Sequence, residues 1–195
     1  MKPLTIGVDM DGILVDLMPT WLDWYHANLA HDDENVAIED ITRDLHHIVK
    51  AGKKVFDALN TPGWFKDLPE LPGAIAALKL LVEQGHHVVI CTSPGNSVDA
   101  PSDKTRWIRR NAPFLDKTNM IITHQKHLCC FDVLIDDDPK KIMKYKMTWP
   151  KAKVMGIAWP WNTDAPYDVR AEGWKDPAAA WGTMVSAIAK YAQTA

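Results

Sequence analysis

Asp9 and Asp11, in Thr5-Ile6-Gly7-Val8-Asp9-Met10-Asp11-Gly12, are two carboxylates set two residues apart where an apolar run meets a glycine. Side chains of a strand alternate between faces, so Asp9 and Asp11 point one way and Met10 the other. At the carboxyl end of a strand both acids enter one small volume. Like charges that close resist ionising together unless a cation or hydrogen bonds compensate. Mg²⁺, which prefers oxygen ligands, is the natural compensator, and the pair predicts metal-assisted chemistry on an anion. A calcium loop also alternates acids, but it needs Gly at its sixth position and Glu at its twelfth. Counted from Asp9, those positions hold Leu14 and Thr20. The flanks Leu4-Thr5-Ile6-Gly7-Val8 and Ile13-Leu14-Val15 are too apolar for an exposed turn.

Three further segments carry groups that complete such chemistry. Thr92-Ser93 closes the β-branched run His87-Val88-Val89-Ile90-Cys91, and Asp136-Asp137 closes Phe131-Asp132-Val133-Leu134-Ile135. Lys126 lies ten residues before Asp136. Together they suit phosphoryl transfer. Asp9 acts as nucleophile, and Asp11 protonates the leaving alkoxide and then activates water. Thr92 and Ser93 donate hydrogen bonds to phosphate oxygens, helped by backbone N–H groups of the turn. Lys126 supplies positive charge, and Asp136 and Asp137 complete a metal site with Asp9.

These residues need a scaffold that brings distant strand ends together. Residues 4–9 read as a strand. Leu71-Pro72-Gly73 opens a helix across Ala74 to Glu83, stopped by Gln84-Gly85. A strand at His87 to Cys91, a helix from Asp103 to Asn111 and a short strand from Asn119 to Ile122 follow. Next come the strand at 131–135 and a basic helix opened by Pro139. Val154 to Ala158 reads as the last strand and Pro177 to Ala192 as the last helix. Such alternation predicts an α/β fold, a doubly wound, mostly parallel Rossmann-like sheet with ligands beyond the carboxyl ends of its strands. Residues 17–70 break the alternation. They read as a small helical cap inserted after the first strand, over a core formed by 1–16 and 71–195.

Bulk properties narrow the partners. The chain has 195 residues and a net charge of −3 with no dense Lys/Arg block, which disfavours long nucleic acid. Three cysteines, Cys91, Cys129 and Cys130, form no disulfide framework and suit a reducing compartment. No signal peptide and no apolar run of membrane-spanning length is legible. The expectation is a cytoplasmic protein acting on a small molecule, without membrane contact; a homodimer is left open.

The motifs resemble those of the haloacid-dehalogenase-like phosphatases, in order: Asp9-Met10-Asp11-Gly12, Thr92 or Ser93, Lys126, and Asp136-Asp137. Within that superfamily the chain is most similar to the 5′(3′)-deoxyribonucleotidase family. The likeness rests on Val8 to Asp16, Leu71-Pro72-Gly73-Ala74, Ile90-Cys91-Thr92-Ser93-Pro94 and Asp132 to Pro139, with Lys104, Trp107 and Trp159 to Asn162 in fitting places. It implies a Mg²⁺-dependent phosphomonoesterase of deoxyribonucleoside monophosphates working through an aspartyl-phosphate. Asp11 then also offers its backbone carbonyl to the metal, and the direct ligand among Asp136 and Asp137 is left open. The alternatives are a phosphatase of the same superfamily for another small phosphate ester, or a non-catalytic phosphate-binding domain. Three departures bear on substrate. Leu17 stands where the family often has an aromatic, the cap between Trp21 and Gly63 matches poorly, and Thr123-His124-Gln125 lacks an arginine two residues before Lys126.

Other residues have plainer readings. Lys104 sits on an exposed helix face or meets phosphate. His46-His47 and His86-His87 diverge too much to share a metal. Cys129 and Cys130 read as buried thiols. Trp24, Phe56, Trp64 and Phe65 form a cap core or stack on a base. Lys140 to Lys146 covers a solvent face.

Overall fold

The computed structural model describes residues 2–41 and 45–194. Positions 42–44, inside the expected cap, lie outside the described residues. Six parallel strands form one sheet: β1 (Thr5–Val8), β2 (His87–Thr92), β3 (Met120–Ile122), β4 (Val133–Ile135), β5 (Lys153–Ile157) and β6 (Val169–Ala171). Their spatial order is β3-β2-β1-β4-β5-β6. The chain winds outward from β1 in both directions, which makes the carboxyl end of β1 the topological switch point.

Strand alternation sorts the core into two layers. Ile6, Val8, Val88, Ile90, Val133 and Ile135 face one cluster with α4 (Ala74–Glu83), α5 (Ala100–Asn111) and α7 (Pro177–Thr194). Val89, Cys91, Leu134 and Val154 face the other, with Ile142 and Tyr145 of α6 (Pro139–Thr148). Both faces of the sheet are thus covered, as its continuous apolar strands require.

Two expectations need correction. A strand follows Val154 to Ala158, namely β6, which pairs with β5 alone at the sheet edge. Its three residues interrupt an apolar pattern with Arg170, too short a run for periodicity to reveal. The cysteines differ as well: Cys91 is buried, but Cys129 is half-buried and Cys130 exposed. Both follow the 3₁₀ turn Lys126–Leu128 in the loop leading to β4.

Residues 17–70 hold α1 (Leu17–Asn28), α2 (Leu45–Ile48), α3 (Asp57–Asn60) and 3₁₀ turns. They have their own apolar cluster, centred on Trp21, Tyr25, Ile41, Val55 and Ala58. The segment leaves and returns at one place, where Asp16 N–H donates to Pro69 O (3.0 Å) and Leu71 N–H to Leu14 O (2.8 Å). It is tied to α5 by Trp107 Nε1–H donating to Leu68 O (2.7 Å), Arg110 to Lys66 O (2.8 Å) and Gly63 N–H to Asp103 (3.1 Å). Among the described residues no helix is long and apolar enough to cross a membrane.

Candidate active site

The register of three strands builds the site. Val8 lies opposite Ile90 in β2 and Ile135 in β4, so Asp9, Cys91 and Asp136 are the next residues out. Asp9 N–H still donates to Ile135 O (2.8 Å), which holds Asp9 beside Asp136. Lys126 Nζ, itself buried, lies 2.5 Å from Asp9 Oδ2 and 2.6 Å from Asp136 Oδ2. The remaining oxygens accept backbone N–H groups: Asp9 Oδ1 from Met10 (2.7 Å) and Asp136 Oδ1 from Asp138 (2.9 Å).

Charge balance there is uneven. Burial pushes the Asp9 carboxyl up, but Lys126, Lys141 and Lys104 outweigh it and hold it down at about 2. Burial works against the Lys126 ammonium, yet Asp136 and Asp9 keep it above the usual lysine range. Asp136 is raised by burial, against the pull of Lys126. Asp137 is raised well above the carboxylate range by burial, then by Asp136 and Asp9. Its side-chain partner among the described residues is neutral: Trp161 Nε1–H donates to Asp137 Oδ2 (3.0 Å). Ligand oxygens from Asp9, Asp136 and Asp137 lie within 4.8 Å of one another. Three acids and one bridging ammonium leave a surplus of negative charge, which is the condition a hard divalent cation satisfies. The donor set therefore fits such an ion.

Asp11 belongs to a second, adjoining group. Lys104 Nζ lies 2.5 Å from Asp11 Oδ2 and donates to Thr92 Oγ1 (3.2 Å) and Ser93 O (3.0 Å). Lys104 is fully buried, so it neither covers an exposed helix face nor stands free. Asp11 Oδ1 and Ser93 Oγ are buried without a hydrogen-bond partner among the described residues. Buried polar atoms of this kind are the ones a ligand can satisfy. The sequence-derived set thus falls into two clusters around one strand end: Asp9, Lys126, Asp136 and Asp137, and Asp11, Lys104, Thr92 and Ser93.

The loops behind the acids explain two glycines. Gly12 has φ +68°, and a Cβ there would stand 2.7 Å from Asp137 Oδ2. Gly156 in β5 passes so near that a Cβ would come within 2.4 Å of Asp136 O. Indole groups pin the same backbone: Trp159 Nε1–H donates to Gly12 O (2.8 Å) and Trp181 Nε1–H to Ile13 O (3.1 Å). Trp159 stacks on Trp161 at 4.6 Å between centroids.

A cavity of about 180 Å³ opens over these groups, lined by Asp9, Asp11, Asp137, Lys141 and Trp161, with Leu17, Met18 and Ile41 on the cap side. Cavities of about 390 and 490 Å³ elsewhere hold none of the acids, so chemistry rather than size marks the site. Trp161 belongs to the late segment Trp159 to Asn162 on which the resemblance rests, whereas no motif pointed to Lys141, Met18 or Ile41. Lys141 belongs to a basic run whose composition predicts a solvated face, although position three of a helix opening at a strand end can face the site. Trp24 and Trp64 meet edge to face in the cap interior (6.2 Å), with Phe56 in the same cluster, while Phe65 lies beneath Lys104. None of the four lines this cavity.

The site-bearing chain matches a protein family over residues 2–186: 5′ nucleotidase, deoxy (pyrimidine), cytosolic type C protein (NT5C). A 5′(3′)-deoxyribonucleotidase of Clostridium acetobutylicum is 30% identical over 155 residues, 75% of this chain and 79% of that protein. Two solved structures share the fold at 14% identity. One, from Thermotoga maritima and described as a β-phosphoglucomutase, has a TM-score of 0.56 and covers 95% of this chain and 99% of its own. The other, a protein of Burkholderia xenovorans described as a haloacid dehalogenase-like hydrolase, scores 0.55 and covers 92% and 98%.

Proposed function

We propose, because the chain belongs to this 5′ nucleotidase family and is a nucleotidase hydrolase, that it hydrolyses 5′(3′)-deoxyribonucleoside monophosphates through Asp9. The observation carrying this reading is the convergence of Asp9, Asp136 and Asp137 beside Lys126, with Asp11 and Thr92 next to them. Segment 17–70 serves as the cap, placing Leu17, Met18 and Ile41 against the nucleoside.

The Asp9 carboxylate attacks phosphorus, forming an aspartyl-phosphate as the ester bond to the sugar oxygen breaks. Asp11 gives its proton to the departing alkoxide, then takes one from the water that hydrolyses the acyl phosphate. Free phosphate leaves and Asp9 returns to its carboxylate. Thr92 and Ser93 hold phosphate oxygens, and Lys126 balances charge on Asp9 and the phosphate. Asp9, Asp136, Asp137 and the Asp11 backbone carbonyl would hold Mg²⁺, which supplies electrophilic charge to the phosphate when bound.

A panel of deoxyribonucleotides, ribonucleotides and sugar phosphates tests this reading, assayed with Mg²⁺ and after chelation. Deoxyribonucleoside monophosphates should rank first, and chelation should remove turnover until Mg²⁺ is restored. A dominant preference for sugar phosphates, or full activity in chelator, overturns it.

A further inference from the structure

Lys141 lines two cavities. One is the acid-lined cavity above Asp9; the other, about 170 Å³, is lined by His124, Lys126, His127, Lys140, Lys141 and Lys144. Every residue lining the second cavity is a basic type, in a chain whose net charge is −3. The expectation that Lys140 to Lys146 merely covers a solvent face therefore fails at Lys141. Among the described residues Lys140 and Lys144 form no ion pair, while Lys146 is engaged with Asp168 at 2.6 Å. Lys141 approaches Asp138 only at 3.7 Å.

Helix polarity is not the source of this charge. The first amides of α6 are already used, because the Asp138 side chain accepts from Lys140 N (2.9 Å) and Lys141 N (3.3 Å). Side-chain cations make the cleft. Like charges sharing a concave surface repel, and a multivalent anion relieves that repulsion while gaining charge-assisted hydrogen bonds.

We propose that this cleft is a second anion subsite, which takes the other phosphate of a deoxyribonucleoside 3′,5′-bisphosphate while the scissile phosphate sits at Asp9. The proposal rests on the nucleotide reading above and sharpens its substrate class. Lys141 lines both cavities, and the bisphosphate would lie across it. Lys140 and Lys144, exposed on α6, form the outer wall.

Thymidine and deoxyadenosine 3′,5′-bisphosphates are compared with the matching 3′- and 5′-monophosphates, on the whole protein with Mg²⁺. The KM for bisphosphate should lie about tenfold below that for monophosphate, from one or two charge-assisted contacts. In K140Q/K144Q the ratio should collapse to about one, and in K140R/K144R it should persist. A wild-type ratio of one, or a ratio indifferent to K140Q/K144Q, overturns the subsite while leaving monophosphate hydrolysis standing. Calorimetric titration of D9N with the same ligands separates the two readings if no nucleotide is hydrolysed. Tighter bisphosphate binding that K140Q/K144Q removes supports the cleft alone, and equal binding overturns it.

Discussion

Lys104 Nζ lies 2.5 Å from Asp11 Oδ2, although 93 residues separate the two. The same ammonium reaches Thr92 Oγ1 and Ser93 O, and it sits 4.6 Å from the centre of the Phe65 ring. One buried cation thus joins the loop after β1, the loop after β2 and the cap. Its energetic value comes from satisfying several acceptors at once, since a buried charge with one imperfect partner would destabilise the fold.

Lys104 is accordingly a positioning residue. In Lys104→Met, Asp11 and Thr92 lose their common anchor, and misplacement of reacting groups by about 1 Å costs on the order of 10²-fold in rate. Steady-state kinetics should show kcat falling by that order with KM changed less, and Lys104→Arg should recover part of the loss. An unaltered kcat in Lys104→Met would count against the assignment.

Asp9→Asn should retain the fold and lose turnover by at least about 10⁴-fold, as removal of a nucleophile does. Circular dichroism and a melting curve establish the fold, and phosphate release measures the loss. Normal release from a correctly folded Asp9→Asn would refute the nucleophile.

Asp137 provides a test with a defined pH sign. Its folded carboxyl titrates well above the ordinary 3.8, because of burial and then Asp136 and Asp9. The folded state therefore holds a proton that the unfolded state has released, and stability falls as pH rises above 3.8 until the folded carboxyl has ionised. Chelated wild type should melt below chelated Asp137→Asn at pH 8, with the gap closing toward pH 4. Added Mg²⁺ should raise the wild-type melting temperature most at high pH, and Asp137→Asn much less. Equal melting of the two chelated proteins at every pH would remove the argument.

Gly156→Ala probes the scaffold behind the acids. The new methyl group would stand 2.4 Å from Asp136 O and 2.5 Å from the Tyr167 ring. Tyr167 OH donates to that same Asp136 oxygen (3.0 Å), so the backbone there has little room to yield. Overpacking of this kind costs about 1–3 kcal/mol. The melting temperature should drop by several degrees, with reduced turnover from displacement of Asp136.

Much of the architecture was legible because it depends on local pattern. The apolar runs at Val88 to Cys91 and Val133 to Ile135 are buried on both faces, and each leads directly into a candidate site residue, Thr92 and Asp136. Pro139 and Pro177 open α6 and α7 where expected. β6 was not legible, since three residues on one sheet edge carry no period. The aromatic residues of the cap were ambiguous for a related reason. A large ring that packs a core and one that stacks on a ligand have the same local sequence pattern.

The sequence by itself determined which groups are available for chemistry, because a carboxylate two residues from another at a strand end needs no tertiary knowledge to be recognised. Tertiary structure alone decided how they are partnered. It divides the acids, giving Asp9 and Asp136 to Lys126 and Asp11 to Lys104, and leaves Asp137 with an indole. It also turns Lys141 inward from a run that looked solvated. The reason is that side-chain type and spacing along a strand are local properties. Electrostatic partnership depends on distance through space, which here is set by the register of β2, β1 and β4 and by the rotation of α6 against them.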